Sequence, residues 1–599
     1  MKNQTPRRNL PDWMRRRLSD EQRFLVLCVC GGLLCGLAAV AFHLTIHHLF
    51  EWLWETAESR STAWFCGVLL AGPTFAGLLV GIGVRFFCPE AAGSGIPQTK
   101  AAYYNRGGKI SSRTGVWRFI LGALYVGLGN SLGREGPTVH ISTAITSRIG
   151  RWAFRDPARV QSMAPVGMAA GIAAAFNAPL SALTFVFEEL LDNFSMKALG
   201  GMVVAVVMAA AVSRTLLGED PVLTARIAGD FQTSWWMLIA LPLGLASGLI
   251  GHLFVWATLR LRHWFKFHRI LPSWINPAIG GLSCGLLGLA AYFLTREMGD
   301  ARSSVFSIGY DSLEAAFSNR LTVGILAVLL GMKFLAVVLN YATGGSGGLF
   351  SPTLFLGGML GGLVGMGLAD IHHIGDWIPM FPTDSKVIGG CVLLGMGAMF
   401  AAVVRCPFTS LIIIFEMTGN YSLILPLMAG NMIAWQIAKK LQPVSIYNAL
   451  LLQDGITLRR MPAYRGAQDY RKLPVSAIMS HEPFVIHADE STVHAAKRIQ
   501  TDAKRFHAYP VVGPEAELRG VITLHEIEEN PGAASVEELM GDQQLTSVTI
   551  ETSIRDAANR MIARDIQQVP VVSATDARKL LGWLTLNDIA RQQNAAEEG

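Results

Sequence analysis

The stretch GREGPTVH (residues 133–140) follows the apolar run ILGALYVGLG (residues 120–129), and it guides the interpretation of the whole chain. Arg134 and Glu135 are charged residues in apolar surroundings, where an ionisable side chain is a candidate functional residue. The flanking glycines allow the backbone to approach a ligand closely, and Pro137 is of the type favoured in the first turn of a helix. The stretch therefore predicts a helix that begins inside an apolar domain with a glutamate at its start.

The composition of the chain indicates a membrane protein. Of its 599 residues, 51% are hydrophobic and only 16% are charged, whereas about a quarter of the residues of a soluble protein are charged. About ten to twelve long apolar stretches recur, several with the ~20 residues that a spanning helix needs. Basic residues before the first stretch predict a cytoplasmic N-terminus. The net charge of +6 mostly reflects this topology, so we expect no nucleic-acid partner.

Two further segments share the design of the first one. GSGIP (residues 93–97) and GSGGLFSP (residues 345–352) also place glycines before a proline and an apolar run. A helix start exposes unpaired N–H groups and the positive end of the helix dipole, which together favour an anion. A fixed lysine, in contrast, could hold an anion too tightly for transport. A single segment of this kind is more often an ordinary turn, but three in one apolar chain predict an anion pathway.

The apolar part of the chain contains an internal repeat. AAGIAAAFNAPLSALTFVFE (residues 169–188) aligns without gaps with GAMFAAVVRCPFTSLIIIFE (residues 397–416), and both end in a glutamate. SLGREGPT (residues 131–138) likewise aligns with SGGLFSPT (residues 346–353). Such homology in a transporter often marks two halves of opposite topology with the site at their interface. Glu188 is expected to be a buried, hydrogen-bonded structural carboxylate.

The composition changes near Pro443, and a second repeat of about 60 residues follows, with apolar runs that predict short buried strands and spacers that predict amphipathic helices. Its two copies contain VSAIM, YPVV and GVITLHEI (residues 475–479, 509–512 and 520–527), then VEELM, VPVV and GWLTLNDI (residues 536–540, 569–572 and 582–589). The pair resembles CBS domains, which often bind adenine nucleotides. Thr585 and Asp588 match the family's nucleotide-contacting Thr-x-x-Asp, whereas the first copy departs from it with Glu526. A role in packing subunits together is the alternative.

The motifs in this order resemble the CLC family of chloride channels and chloride/proton antiporters. GSGIP, GREGP, GGLFSP and the late Ile446-Tyr447 carry the resemblance, which covers nearly the whole chain. It implies a polytopic α-helical membrane protein with two inverted-topology repeats, partly spanning helices and a C-terminal α/β CBS pair. It also implies a homodimer with one ion pathway in each subunit. The expected domains are a cytoplasmic segment, a membrane domain and two CBS domains, at residues 1–22, 23–465, 470–531 and 532–595.

The resemblance assigns an anion site to particular residues. Ser94 and Tyr447 match the family's two side-chain chloride ligands, and a serine at position 94 favours chloride over nitrate. Backbone N–H groups complete the expected site, which includes Gly95, Ile96, Leu349 and Phe350. Leucine stands at position 349 where isoleucine is common, and the presence of GSGIP argues against fluoride export.

Two glutamates are expected to couple anion and proton movement. Glu135 matches the family's gating glutamate, which occupies an anion site when ionised and swings out when protonated. Glu189, in TFVFEELLDNF, matches the internal proton relay of the antiporters, where channels usually have an apolar residue. The sequence therefore favours a chloride/proton antiporter over a passive gated chloride channel of the same fold. Arg134 is expected to be a structural or vestibule charge.

Other function classes fit the sequence less well. A cation transporter with CBS domains would need carboxylate or carbonyl oxygens for its ion, and the glycine-rich helix starts suit the opposite charge. An enzyme is not expected, because the chain has no P-loop and no HExxH. We expect no metal and no required cofactor, with adenine nucleotide at the CBS pair as the one candidate ligand. The expected partners are chloride, protons and the lipid of a bacterial inner membrane, with both termini cytoplasmic.

Overall fold

The computed structural model describes residues 18–191, 196–218, 235–268, 272–298, 304–369, 386–418, 421–458, 471, 473–501, 506–540 and 545–597. The chain divides into two compact units, Met1–Arg459 and Arg460–Gly599. Most of the expected N-terminal segment (residues 1–17) lies outside the described residues. So does the stretch 459–470, where the sequence predicts the end of the membrane domain.

The first unit is built from α-helices of very different lengths. In chain order they are α1 (Asp20–Glu58), α2 (Thr62–Ile82), α3 (Ile96–Asn105), α4 (Ser112–Gly127), α5 (Glu135–Ala153), α6 (Pro157–Phe176), α7 (Pro179–Phe185), α8 (Met196–Leu217), α9 (Trp235–Phe267), α10 (Asn276–Glu297), α11 (Tyr310–Phe317), α12 (Val323–Ala342), α13 (Phe350–Ala369), α14 (Lys386–Val403), α15 (Pro407–Thr418), α16 (Ile424–Leu441) and α17 (Ile446–Gln453). Short π-helical turns at Gly83–Phe87 and Val186–Leu191 extend α2 and α7.

Within the described residues, seven helices are long and apolar enough to cross a bilayer. They are α1, α2 with its π-helical extension, α8, α9, α10, α12 and α13. The number is smaller than the count of apolar stretches because some stretches are interrupted. Residues 160–190 break at Asn177 and residues 387–415 break at Arg405, both with left-handed backbone (φ 54° and 73°). New helices begin at Pro179 and Pro407, which gives the partly spanning helices predicted from the sequence.

The ends of α7 and α15 show that the two repeats run in opposite directions. Glu416 at the end of α15 accepts a hydrogen bond from the Ser181 N–H at the start of α7 (2.7 Å). Glu188, just beyond α7, accepts from the Thr409 N–H (2.7 Å) and hydroxyl (2.6 Å) at the start of α15. Because the end of each helix meets the start of the other, the equivalent helices are antiparallel and the repeats are inverted. Glu188 has the expected hydrogen bonds but is half-buried rather than buried.

A second contact joins equivalent residues of the repeats directly. Gly133 and Gly348, which the sequence repeat aligns, form an antiparallel bridge with N–H to O distances of 2.8 and 2.6 Å. A Cβ on Gly348 would lie 2.9 Å from the backbone N of Gly136, so only glycine allows this approach. The pairing places the start of α5 against the start of α13. Each of these helices packs on a partner rich in small residues, α6 and α14 respectively, which allows close packing.

The second unit contains two copies of one α/β fold. The first copy has β1 (Ile486–His487), α18 (Thr492–Thr501), β2 (Ala508–Val512), β3 (Leu518–Thr523) and α19 (Leu524–Glu529), and the second has β4 (Val548–Thr549), α20 (Ile554–Ala563), β5 (Gln568–Val572), β6 (Leu580–Thr585) and α21 (Leu586–Glu597). In each copy the first strand pairs parallel and the third pairs antiparallel with the central strand. The predicted strands and helices of both copies are therefore present.

The exchanged glutamate caps lead to a stability prediction. Glu188→Ala and Glu416→Ala each leave N–H groups at a helix start without their acceptor, which is expected to cost about 1 kcal/mol, the usual price of a lost cap. The midpoint of thermal unfolding in detergent should fall for both variants. Glu55→Ala, which changes an exposed glutamate of α1, is the control. Unchanged midpoints for both variants would contradict a capping role.

Candidate functional site

The three glycine-rich segments meet at one place in the first unit. The Gly93 N–H of the first segment donates to the Gly345 carbonyl of the third (3.1 Å). The Gly133–Gly348 bridge joins the second segment to the same third segment. Gly136 lies so close to Ser94 that any Cβ at position 136 would collide with it. The starts of α3, α5 and α13 are therefore brought together, as the sequence pattern alone could not show.

The first segment places Ser94 immediately before α3. Ser94 is fully buried, and its hydroxyl has no hydrogen-bond partner. Gly95 adopts a left-handed backbone (φ 95°), and its N–H donates to Gln98 Oε1 (3.0 Å). Gly95 therefore shapes the turn, while the N–H of Ile96 begins α3, where a helix has no internal acceptor to offer it.

Tyr447 comes from a distant part of the chain. It is the second residue of α17, which packs on α3, and its hydroxyl is fully buried without a hydrogen-bond partner. A buried polar group left unsatisfied costs about 1–3 kcal/mol, so unpartnered groups of this kind suggest a ligand. Both side chains that the sequence predicts as anion ligands, Ser94 and Tyr447, carry such a hydroxyl.

The third segment supplies the start of α13. Leu349 and Phe350 are buried, and the ring of Phe350 packs against those of Phe176 (4.6 Å between centroids) and Phe400 (4.3 Å). This packing fixes the first turn of the helix. The N–H groups of Leu349 and Phe350 stand at the helix start, where an anion is favoured.

Glu135 is fully buried at the first position of α5. Its Oε1 accepts hydrogen bonds from the Tyr310 hydroxyl (2.9 Å) and from the Ser351 hydroxyl. Its Oε2 faces the Ser351 N–H at 3.4 Å. Since Ser351 lies in the first turn of α13, the carboxylate of Glu135 occupies the positive end of that helix, which is a position suited to an anion.

Glu189 forms a buried ion pair. Its Oε1 lies 2.7 Å from the Nζ of Lys100, and the two side chains are only 5% and 3% exposed. Lys100 is on α3, the helix that begins just after Ser94. The ion pair therefore joins Glu189, the predicted proton relay, to the helix whose start lies beside the predicted anion ligand. Cys406 Sγ lies 3.9 Å from the other carboxylate oxygen.

Sequence analysis did not single out three residues of this site. The sequence contains one indication of Lys100 as a site residue, because it is a lone cation in a segment of low charge. Ser351 was visible only as part of GGLFSP, and Tyr310 follows Gly309 outside every recognised motif. Arg134 donates to the Ala175 carbonyl (3.0 Å) and contacts His43, which fits the structural role expected for it.

In the second unit, Thr585 and Asp588 form hydrogen bonds that cap the start of α21. The Thr585 hydroxyl donates to Asp588 Oδ2 (2.8 Å), and the Asp588 N–H donates to the Thr585 hydroxyl (3.2 Å). Thr523 and Glu526 make the same pair of contacts in the first copy (2.7 and 3.2 Å). Both pairs therefore cap a helix, and nucleotide binding at Thr585 and Asp588 stays a prediction. Among the described residues, no cluster of His, Cys, Asp and Glu suits a metal ion.

Comparison with known families agrees with this geometry. The family model described as "Voltage gated chloride channel" matches residues 76–439, and the CBS domain model matches residues 475–530 and 536–594. The chain belongs to the CLC family of voltage-gated chloride channels. As a CLC protein it is an integral membrane protein, and its C-terminal unit is a CBS pair.

Curated CLC relatives include exchangers from enterobacteria. The H(+)/Cl(−) exchange transporter ClcA of Salmonella paratyphi A is 31% identical over 481 residues, which cover 76% of this chain and 94% of the relative. The protein of the same name from Citrobacter koseri is 30% identical over 485 residues, which cover 77% and 95% of the two chains.

Solved structures share the CLC fold. A slow cyanobacterial Cl−/H+ antiporter has a TM-score of 0.63 at 24% identity, with 73% of this chain and 99% of that chain covered. A eukaryotic CLC transporter also has a TM-score of 0.63, at 18% identity, and covers 94% of this chain and 98% of its own. The predicted fold class is therefore confirmed for both parts of the chain.

The buried ion pair leads to a second prediction. Lys100→Met leaves the Glu189 carboxylate buried without this cation, which is expected to cost about 3–5 kcal/mol of stability. Lys100→Met combined with Glu189→Leu should recover most of that loss, because neither charge then remains. Thermal unfolding of the purified protein in detergent measures both effects, with Lys109→Met at an exposed lysine as the control. A double variant no more stable than Lys100→Met would contradict the pairing.

Proposed function

We propose that the protein exchanges chloride for protons across a membrane. The observation that carries the proposal is the position of the Glu135 carboxylate. It lies at the start of α13, the helix whose first N–H groups belong to the predicted anion site. The unpartnered hydroxyls of Ser94 and Tyr447 support an anion as the transported species. The names of the ClcA relatives support exchange rather than passive conduction.

Chloride would be held without a full positive charge. The hydroxyls of Ser94 and Tyr447 and the N–H groups of Ile96, Leu349 and Phe350 would replace part of its water shell, with Gly95 shaping the turn between two of these donors. Weak, neutral donors of this kind allow an ion to leave as well as to enter.

The buried cations near these helices are already engaged. Lys100 pairs with Glu189, and Arg118 donates to the carbonyls of Gly93 (2.7 Å) and Ala92 (3.2 Å). Arg118 therefore stabilises the turn that presents Ser94, and it does so through backbone oxygens rather than through the anion.

The proton would travel on two carboxylates. Ionised Glu135 occupies the anion position and excludes chloride, whereas protonated Glu135 loses its attraction to the helix start and can move away. Glu189, buried near α3, would pass the proton onward on the cytoplasmic side. One side chain thereby makes chloride occupancy and proton movement mutually dependent.

The remaining assignments are part of the same proposal. The domain limits are those predicted from the sequence, with both termini cytoplasmic in a bacterial inner membrane. A homodimer is supported by α7 and α15, which are too short to span a bilayer and expose Leu180 (54%) and Phe408 (48%). A second subunit would cover these side chains. Adenine nucleotide is the proposed ligand of Thr585 and Asp588, and the chain is proposed to be a transporter without enzymatic activity.

A flux measurement tests the proposal. The full chain is reconstituted in liposomes under an outward chloride gradient, and external chloride and pH are recorded together. Chloride efflux is expected to drive protons inward against their gradient. Glu135→Ala should keep chloride flux and abolish the proton signal, because the side chain that carries the proton is gone.

The outcomes separate the alternatives. Chloride movement without any pH response in the wild type would show a passive channel and give Glu189 a structural role. Unaltered proton coupling in Glu135→Ala would contradict the role of Glu135. Tyr447→Phe and Ser94→Ala should each weaken chloride binding by calorimetry, and unchanged binding in both would remove these hydroxyls from the anion site.

A further inference from the structure

Three oxygen atoms form a closed triangle at the start of α13. The Tyr310 hydroxyl lies 2.9 Å from Glu135 Oε1 and 2.8 Å from the Ser351 hydroxyl, and the Ser351 hydroxyl also contacts Glu135 Oε1. All three residues come from different elements: α11, α5 and α13. Glu135 and Ser351 are buried to 1% exposure or less, and Tyr310 is half-buried, so water has little access to the carboxylate.

The triangle favours one state of the glutamate. An ionised carboxylate accepts hydrogen bonds but cannot donate one, so both hydroxyl protons are available to Glu135 Oε1. Hydrogen bonds to an ionised group are about twice as strong as those between neutral groups. The hydroxyls of Tyr310 and Ser351 therefore hold ionised Glu135 more firmly than protonated Glu135.

Tyr310 is held rigidly in front of the carboxylate. It begins α11 directly after Gly309, whose left-handed backbone (φ 86°) sets the direction of the helix start. The preceding segment is fixed by Lys333, whose Nζ donates to the carbonyls of Ser307 (2.8 Å) and Val305 (3.0 Å). The backbone therefore holds the Tyr310 hydroxyl in place for its hydrogen bond to Glu135.

We propose that Tyr310 and Ser351 are positioning residues that hold the Glu135 carboxylate at the start of α13 and thereby set the pH at which this glutamate leaves the anion pathway. The inference rests on the proposed function of Glu135 as the gating group. In this proposal, two side-chain hydroxyls as well as the helix N–H groups hold the Glu135 carboxylate at the start of α13.

Other charged or titratable groups near Glu135 have partners that do not involve the triangle hydroxyls. Arg134 contacts His43 and Ala175, Lys333 binds backbone carbonyls, and Lys100 pairs with Glu189. The helices packed on α5 carry ionisable side chains that include His43 of α1, Lys100 of α3, Arg118 and Tyr125 of α4 and Arg159 of α6. Lys333 and Tyr341 belong to α12, which packs on α13, and Tyr447 belongs to α17, which packs on α3. Helix α13 has no ionisable side chain.

The test compares chloride efflux from liposomes across the acidic to neutral pH range for the wild type, Tyr310→Phe and Ser351→Ala. Each substitution removes one donor to the ionised carboxylate, so Glu135 should leave the pathway at a lower proton concentration. The pH midpoint of efflux is expected to rise by about one unit for each variant. Tyr125→Phe, which removes another buried tyrosine hydroxyl near Asn340, should leave the midpoint unchanged.

The same substitutions are then made in a Glu135→Gln background, where no carboxylate remains to be held. There, Tyr310→Phe and Ser351→Ala should leave the pH response unchanged. The inference would be overturned if neither single variant shifted the pH midpoint of efflux, or if the midpoint moved to lower pH. It would also be overturned if the two substitutions changed the pH response in the Glu135→Gln background as much as they do in the wild type. Thermal unfolding midpoints of the variants identify any that are misfolded, and the other hydroxyl variant then carries the test.

The test also distinguishes this inference from the function on which it rests. If the wild type moves no chloride, the proposed function fails. If the wild type moves chloride and Glu135→Gln abolishes its pH response, but neither hydroxyl variant shifts the midpoint, the exchange function stands and the positioning role is wrong.

Discussion

The antiparallel pairing of Gly133 with Gly348 is the contact on which the rest of the site depends. It joins equivalent residues of two inverted repeats and holds the starts of α5 and α13 against each other. Two helix starts would repel each other through their dipoles, and an anion between them relieves that repulsion. The carboxylate of Glu135 lies at the start of α13, where the proposed function also places a transported anion.

In the first unit, the buried charged groups discussed above have partners, whereas two buried neutral hydroxyls do not. Lys100 pairs with Glu189, and Lys333 and Arg118 are satisfied by backbone carbonyls, because an unpaired charge in an apolar interior would be very costly. The hydroxyls of Ser94 and Tyr447, in contrast, have no partner. Neutral hydroxyls of this kind can bind an anion weakly, which is what the proposed release of a transported ion requires.

The two repeats share the arrangement of their helices but differ in the residues that they place at the site. Glu188 and Glu416 exchange equivalent caps between α7 and α15, so this pair preserves the symmetry of the fold. At the site, the repeat aligns Glu135 with Phe350 and Glu189 with Met417. The proposed proton carriers therefore lie in one repeat only, while the other supplies packed rings and helix N–H groups. Transport in this proposal arises where the sequences of the repeats diverge.

The sequence by itself determined the fold class, the repeats and the helix starts at GSGIP, GREGP and GGLFSP, because glycine, proline and apolar periodicity act locally. It also nominated Ser94, Glu135, Glu189 and Tyr447 through motifs. Only the tertiary structure decided that Lys100 pairs with Glu189, and that Tyr310 and Ser351 hold Glu135. Hydrogen bonds and ion pairs between residues up to 216 positions apart depend on how helices pack, and the order of residues along the chain carries no local signal of them.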